Sequence, residues 1–325
     1  MCINIQRCSQ KAAWPACEIL CRYALCMFTY TPLPCLAASF NRSGAEGVGL
    51  IAEVGPGVEG LVVGEAVSFI GGAFSEYVVA DAARCSKIKE ASAAAVAATI
   101  SGTTAMGAVK YMGEAKKRQV VLVTAGGGAA GSFAVQIAKQ LGCEVVATCG
   151  SNEKAKLLCK LGCDTIINYR TRDVGEALAK SYPDGVDLVI EHVGGDLFQT
   201  AIQHLKPKGT LILVGYISQY PHNHLQETHP PVYTHGGVSY EFDLEDIFWN
   251  QLVIEVSGTQ QIISGKLHPS IDSAREARQH VQEMVEDGSI LAVVDERQFV
   301  GVESVVDALE YMLSGAALGK VVVSM

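Results

Sequence analysis

The sequence holds no run of about 20 apolar residues free of charges and turn signals, so no membrane span is expected. Basic residues are scarce. Lys and Arg number 25 against 34 Asp and Glu, and a net charge of −9 argues against a nucleic acid or an anionic membrane as partner. Internal repeats and low-complexity tracts are missing. Tight cysteine pairs are missing too. Six of the 11 cysteines (Cys2, Cys8, Cys17, Cys21, Cys26 and Cys35) crowd into the start of the chain, without the close spacing of a structural zinc site. The odd total gives no disulfide framework and suits a reducing compartment. No tyrosine is followed four residues later by lysine, which removes the Tyr-x-x-x-Lys pair of short-chain dehydrogenases, and no Gly-Lys-Ser/Thr step supports a P-loop NTPase.

What is present begins at residues 119–142, QVVLVTAGGGAAGSFAVQIAKQLG. A β-branched run breaks into Gly126-Gly127-Gly128, and a helix-periodic run follows over 129–141. A strand, a glycine turn and a helix N-terminus form a cradle for a dinucleotide pyrophosphate, because glycine lets the backbone approach and the new helix offers free N–H groups. Further strands are expected at 144–148, 164–168, 186–191 and 210–214, with helices at 152–161, 174–181 and 197–205 between them. This alternation predicts an α/β fold, a doubly wound parallel sheet with its ligand at the carboxyl ends of the strands. Helical periodicity returns at 271–287 and 302–313, and a last strand is expected at 320–324.

The second strand bears on the cofactor. An NAD site usually ends that strand in Asp or Glu, about 20 residues past the turn, to bind the ribose 2′-hydroxyl. Here the strand ends in Thr148-Cys149-Gly150-Ser151, and Lys154 and Lys156 follow at the next helix start. A hydroxyl and an ammonium at a helix N-terminus suit a 2′-phosphate, so NADP(H) is expected over NAD(H). Lys156 reads better as a solvated helix residue.

From Gly44 onward the chain resembles the medium-chain dehydrogenase/reductase superfamily, in its zinc-free quinone oxidoreductase and enone reductase branch. The resemblance rests on GAEGVGLIAEVGPGVEGL (44–61), GGAFSEYVVA (71–80), SGTTAMGAV (101–109), VTAGGGAAGSFAVQIAK (123–139), SNEKAKLLCKLGCDTIINYR (151–170), EHVGG (191–195), LKPKGTLILVGYIS (205–218) and GKVVV (319–323). It implies a Rossmann sheet plus a GroES-like, β-rich catalytic domain, truncated if residues 1–43 replace its start. It implies this division: an atypical segment 1–43, a partial catalytic domain 44–100, an NADP-binding domain 101–258, and a C-terminal part 259–325 that completes the sheet and returns to the catalytic domain.

The resemblance also assigns roles. Ala125, Gly128 and Gly131 match the family's A-x-x-G-x-x-G turn, with Ala129 and Ala130 inside it. Ser151, Lys154 and Tyr169 match its adenosine-phosphate pocket. Val193, Gly194 and Gly195 form the turn after the fourth strand, Gly215, Tyr216 and Ile217 follow the fifth, and Thr103 lies where the chain crosses between domains. Zinc-dependent members place histidine where this chain has Ala45, so no metal is expected. The implied reaction reduces the C=C bond of α,β-unsaturated ketones or aldehydes, 15-oxo-prostaglandin-like compounds included, or of quinones. A homodimer and a cytoplasmic location are expected, with mitochondrion, plastid or peroxisome as alternatives if residues 1–43 direct transport.

Individual residues carry two readings. Tyr216 and Tyr220 are candidate proton donors to an enone oxygen, or packed aromatics. His222, His224, His229 and His235 lie among Pro221, Pro230 and Pro231, which fits a surface loop over the cleft better than a metal site. Cys149 reads as a buried structural thiol rather than a redox one, and His192 as a packing residue that borders the cleft. The first 43 residues, with Glu18 as their one acid, match nothing in the family and show no clean periodicity. They leave open a non-catalytic NADPH-binding protein as the alternative function.

Overall fold

The computed structural model describes residues 18–27, 44–219, 232–235, 238–241, 252–257, 260–264 and 271–325. Strands β6 (Val120–Val123), β7 (Glu144–Cys149), β8 (Thr165–Asn168), β9 (Val186–Glu191) and β10 (Leu205–Leu213) pair in parallel in the order β10-β9-β6-β7-β8. Strands β11 (Val232–His235) and β12 (Val238–Glu241) pair with each other, and β13 (Leu252–Ser257) and β14 (Gln260–Ser264) extend the β10 side antiparallel. The order reverses direction between β6 and β9, and the crevice of a doubly wound sheet opens at that point.

Period-two burial explains why the sheet is covered on both faces. Val121 and Val123 of β6 face the layer that contains Phe133, Val135 and Ile137 of the helix α3 (Ala129–Gln140). Leu122 faces the opposite layer with Leu178 of α5 (Val174–Ser181) and Phe198 of α6 (Gly195–Gln203). Each fully buried side chain of this size is worth roughly 1.5–3 kcal/mol. The helix α4 (Asn152–Lys160) starts at Ser151, whose hydroxyl accepts from Lys154 N, and it buries Leu158.

One strand starts earlier than its sequence suggests. Pro207 and Gly209 read as a break before residue 210, yet Leu205 pairs with Val186 ahead of a register shift that holds Lys208 at φ 66°. The irregularity accommodates the proline, which has no N–H for the ladder.

The second sheet is mostly antiparallel. Its order is β15 (Phe299–Val300), β16 (Val323–Ser324), β1 (Glu18–Met27), β2 (Glu46–Val54), β3 (Ala66–Ile70) and β5 (Ser86–Lys87), and β4 (Tyr77–Asp81) also pairs with β1. Residues 18–27, inside the segment read as foreign, thus form a ten-residue strand between β2 and β16. Backbone pairing supplies what its irregular side-chain pattern does not advertise. Ile51, Val67, Phe69 and Val78 form this sheet's core.

A helical run joins the two sheets: α1 (Ala93–Ala97), a π-type turn, α2 (Thr103–Met106) and a second π-type turn to Met112. The helix α7 (Ile271–Glu286) packs on it, with Val281 against Gly102. The chain closes with α8 (Val305–Leu313) before β16. No helix among the described residues is long and apolar enough to cross a membrane.

Candidate active site

The site is built from the carboxyl ends of β6, β7, β8 and β9. After β6, Ala125 takes a left-handed conformation at φ 48° and Gly128 caps α3 without a side-chain hydrogen bond. The first N–H groups of α3 therefore receive no side-chain cap from Gly128, and such groups favour an anion. Thr148 holds the turn on β7: its carbonyl accepts from Gly126 N at 2.9 Å and its hydroxyl from Ala125 N at 3.2 Å. Gly131 has a packing reason for lacking a side chain. A Cβ there would lie 2.3 Å from the Ala125 carbonyl oxygen. Ala129 and Ala130 sit between these points, in the first turn of α3.

Ser151, Lys154 and Tyr169 converge beside this turn. The Lys154 stem lies against Gly127, where an added Cβ would meet its Cβ and Cγ at 3.0 Å. Tyr169, half-exposed, bonds through its N–H to Cys149 O, and its hydroxyl overlies Gly150 so closely that a Cβ would stand 2.3 Å away. Burial holds the Lys154 ammonium below the usual lysine range, and Arg170 nearby adds to that. Burial also raises the Cys149 thiol, which favours its structural reading.

A second group of residues closes the β6–β9 crevice. Glu191 is fully buried; its carboxyl accepts from Thr124 Oγ1 at 3.1 Å and from the N–H groups of Val193 and Gly194, both at 2.9 Å. Desolvation, only partly offset by these donors, pushes its pKa to about 7. His192 pairs Nδ1 with Thr124 O at 3.0 Å, and its Nε2 is buried with no hydrogen-bond partner, although part of the residue reaches solvent. Facing a carbonyl, Nδ1 must be the protonated nitrogen, which leaves Nε2 as an acceptor. Burial lowers the imidazole pKa to about 4.

The 214–218 segment is laid across this turn. Val214 N and Gly215 N donate to Glu191 O, Ile217 N to His192 O, and Ser218 N to Val193 O. The Tyr216 side chain is 7% exposed and belongs to the apolar cluster that includes Phe198, Ile202 and Leu213, which favours the packed-aromatic reading. Thr103 stands on α2, its hydroxyl bonded to Thr99 O at 2.6 Å. Tyr220, His222, His224 and His229 lie outside the described residues, and of His235 only the backbone strand is described. Among the described residues no three His, Cys, Asp or Glu side chains are grouped as metal ligands.

Sequence reasoning missed Thr124, Glu191 and the 315–320 segment. Glu191 left one signal, an acid that ends the apolar strand VDLVIE. The 315–320 segment entered only through GKVVV (319–323) and a last strand at 320–324, neither of which points to the glycine turn. Yet Gly319 N donates to Gly127 O at 3.0 Å, and Lys154 Nζ donates to Gly315 O at 2.7 Å, so this segment forms a wall of the phosphate cradle.

Comparison with known proteins agrees with this fold. A family model described as a zinc-binding dehydrogenase matches residues 129–237. Prostaglandin reductase-3 of Mus musculus is 33% identical over 291 residues, covering 87% of this chain and 72% of that protein. A probable quinone oxidoreductase of Leishmania amazonensis is 32% identical, covering 86% of this chain and 78% of that one. Among solved structures, an Escherichia coli quinone oxidoreductase complexed with NADPH superposes with a TM-score of 0.74 at 23% identity, over 97% of this chain and 94% of that one. A 2-haloacrylate reductase gives 0.70 at 21% identity, over 97% and 93%. At those identities the structural likeness speaks to the fold.

Proposed function

This chain belongs to the medium-chain dehydrogenase/reductase superfamily, and from that membership we propose that it is an NADPH-dependent reductase of the C=C bond of α,β-unsaturated ketones, aldehydes or quinones, acting without zinc. The observation that carries the reading is the meeting of Lys154 with the glycine turn. An ammonium whose stem crosses Gly127, beside Ser151 and Tyr169 and with no acid at the end of β7, suits a ribose 2′-phosphate. Relatives named as an NADP-dependent oxidoreductase and structures complexed with NADPH support the same cofactor.

The residues fit a dinucleotide. Gly127, Gly128 and Gly131 form the pyrophosphate cradle, and Thr103, Val193, Gly194, Gly215 and Ile217 border the space for the rest of the cofactor. Bound NADPH supplies the hydride. The chain's own work is to hold the enone's β-carbon toward that source, exclude water, and leave the enolate oxygen hydrogen-bonded. Because Tyr216 is buried in an apolar cluster of the sheet, we assign it to the wall and assign solvent as the proton source in place of Tyr216 or Tyr220. Ala45, at the position where zinc-dependent members carry histidine, supports a zinc-free reaction, since a catalytic zinc needs three protein ligands. We assign residues 101–258 to the cofactor and residues 44–100 with the C-terminal return to the substrate wall. A second copy would add at β14, the edge of the parallel sheet.

The test is the loss of NADPH absorbance on mixing the purified full-length chain with a quinone or a 15-keto enone, with NADH as control. Turnover selective for NADPH supports the reductase. NADPH binding without turnover of any enone or quinone would support the non-catalytic alternative.

A further inference from the structure

Glu46 and Lys320 form an ion pair in the interior, 0% and 1% exposed, and Lys320 follows directly on the wall that closes the glycine turn. Their partners define where the pair sits. Lys320 Nζ donates to the Glu46 carboxylate and, at 2.9 Å, to Ser101 Oγ, while Glu46 Oε2 accepts from Ile100 N. Glu46 is the first residue of β2 in the catalytic sheet, and Ile100 and Ser101 stand just ahead of Thr103 in the crossing helix. On the other side, Gly319, the neighbour of Lys320, donates its N–H to Gly127 in the glycine turn, and Lys320 N donates to Val293 O at 2.9 Å. Two consecutive residues thus tie the phosphate cradle, the crossing helix and the catalytic sheet together.

A buried pair of this kind is a poor source of stability, because desolvating two charges cancels most of their attraction and apolar substitutes are often as stable. What it supplies is a short, direction-sensitive link, since attraction in a low-dielectric interior changes steeply with distance. A second cation gives the carboxylate an alternative. Arg278 of α7 lies near enough to act electrostatically on Glu46, and its Nε is buried with no hydrogen-bond partner among the described residues.

We propose that Lys320 and Glu46 are positioning residues that carry cofactor occupancy of the glycine turn to the catalytic sheet and to the helix bearing Thr103. The proposal rests on the assignment of that turn to NADPH. Occupancy of the cradle moves or stiffens Gly127 and Gly319; Lys320 passes this to Glu46 and Ser101, which aligns the substrate wall with the hydride source.

The test uses the full chain carrying Glu46→Gln and Lys320→Met together, which removes both charges while keeping side-chain size. Amide hydrogen exchange is compared with and without NADPH. In the wild type, NADPH protects residues 125–131 and also 46–51 and 98–106. In the double variant, protection is expected to stop at 125–131, with the NADPH Kd changed less than about threefold and kcat reduced about tenfold or more, the size of effect that small misalignments of reacting groups produce. Should the double variant fail to accumulate, Ser101→Ala keeps the ion pair, removes one anchor, and is expected to show the same pattern in weaker form. Unchanged protection at 46–51 with unchanged kcat would overturn the proposal. So would a wild type whose protection ends at the glycine turn. A wild type that shows the full protection yet reduces no enone or quinone would overturn the reductase reading and leave the coupling standing.

Discussion

Glu191 and His192 are neighbours whose burial acts in opposite directions on the pH dependence of stability. Glu191 has its pKa raised to about 7 from the ordinary 4.5 of a glutamate, so between those values the unfolded chain loses this proton while the folded chain keeps it, and stability falls as pH rises. His192 is lowered to about 4 from 6.5; between those values the unfolded chain holds the extra proton, so stability rises with pH. The two slopes oppose each other from about pH 4.5 to 6.5. His192→Asn should therefore unmask a loss of stability as pH rises toward 7, and Glu191→Gln should unmask a gain, both read as urea midpoints across the pH series. At the same scale, Lys154→Ala should weaken NADPH binding by about 1.5–3 kcal/mol, the worth of a charged hydrogen bond, and NADH binding far less. Titration of each nucleotide by fluorescence checks this, and equal losses for both would remove Lys154 from the 2′-phosphate pocket. Tyr216→Phe should leave kcat within about threefold, because Tyr216 is 7% exposed and belongs to the apolar cluster with Phe198, Ile202 and Leu213.

The glycine turn and α3 act as one element. A Cβ added at Gly131 would stand 2.3 Å from Ala125 O and 2.8 Å from Gly126 Cα, closer than real Cβ atoms approach. Gly131→Ala should push α3 off the turn, cost about 1–3 kcal/mol in denaturant unfolding as overpacking does, and weaken NADPH binding in parallel. A variant with unchanged unfolding and unchanged affinity would show that the helix can shift without cost. Most elements at this scale were legible in the chain, for a physical reason. β6, β7 and β9 are apolar runs buried on both faces and bounded by turns, and α3 and α5 repeat apolar residues at helical spacing. β1 was not legible. Its residues show no alternation, and it is a strand because β2, β4 and β16 pair with its backbone. The early start of β10 at Leu205 escaped for a related reason, since a proline and a glycine mask a pairing that Val186 supplies.

For the whole molecule, ligand linkage gives a direct test: NADPH at a hundredfold its Kd should stabilise the folded chain by about 2.7 kcal/mol, and NADH at the same concentration by much less. Thermal unfolding with each nucleotide reads this, and equal shifts would count against the reading of Ser151, Lys154 and Tyr169. The sequence by itself determined the alternation of strands and helices, the glycine turn and the missing acid after β7. Each is local: a period of two or 3.6 residues, or the chemistry of a few adjacent positions, is set by neighbours in the chain. Tertiary structure alone decided that Gly319 closes on Gly127, that Lys154 reaches Gly315, that Glu191 is locked by Thr124, and that Glu46 pairs with Lys320 from 274 positions away. Contacts between positions so far apart leave no local pattern. They form only when the packing of both sheets pays the entropy of closing the loops between them.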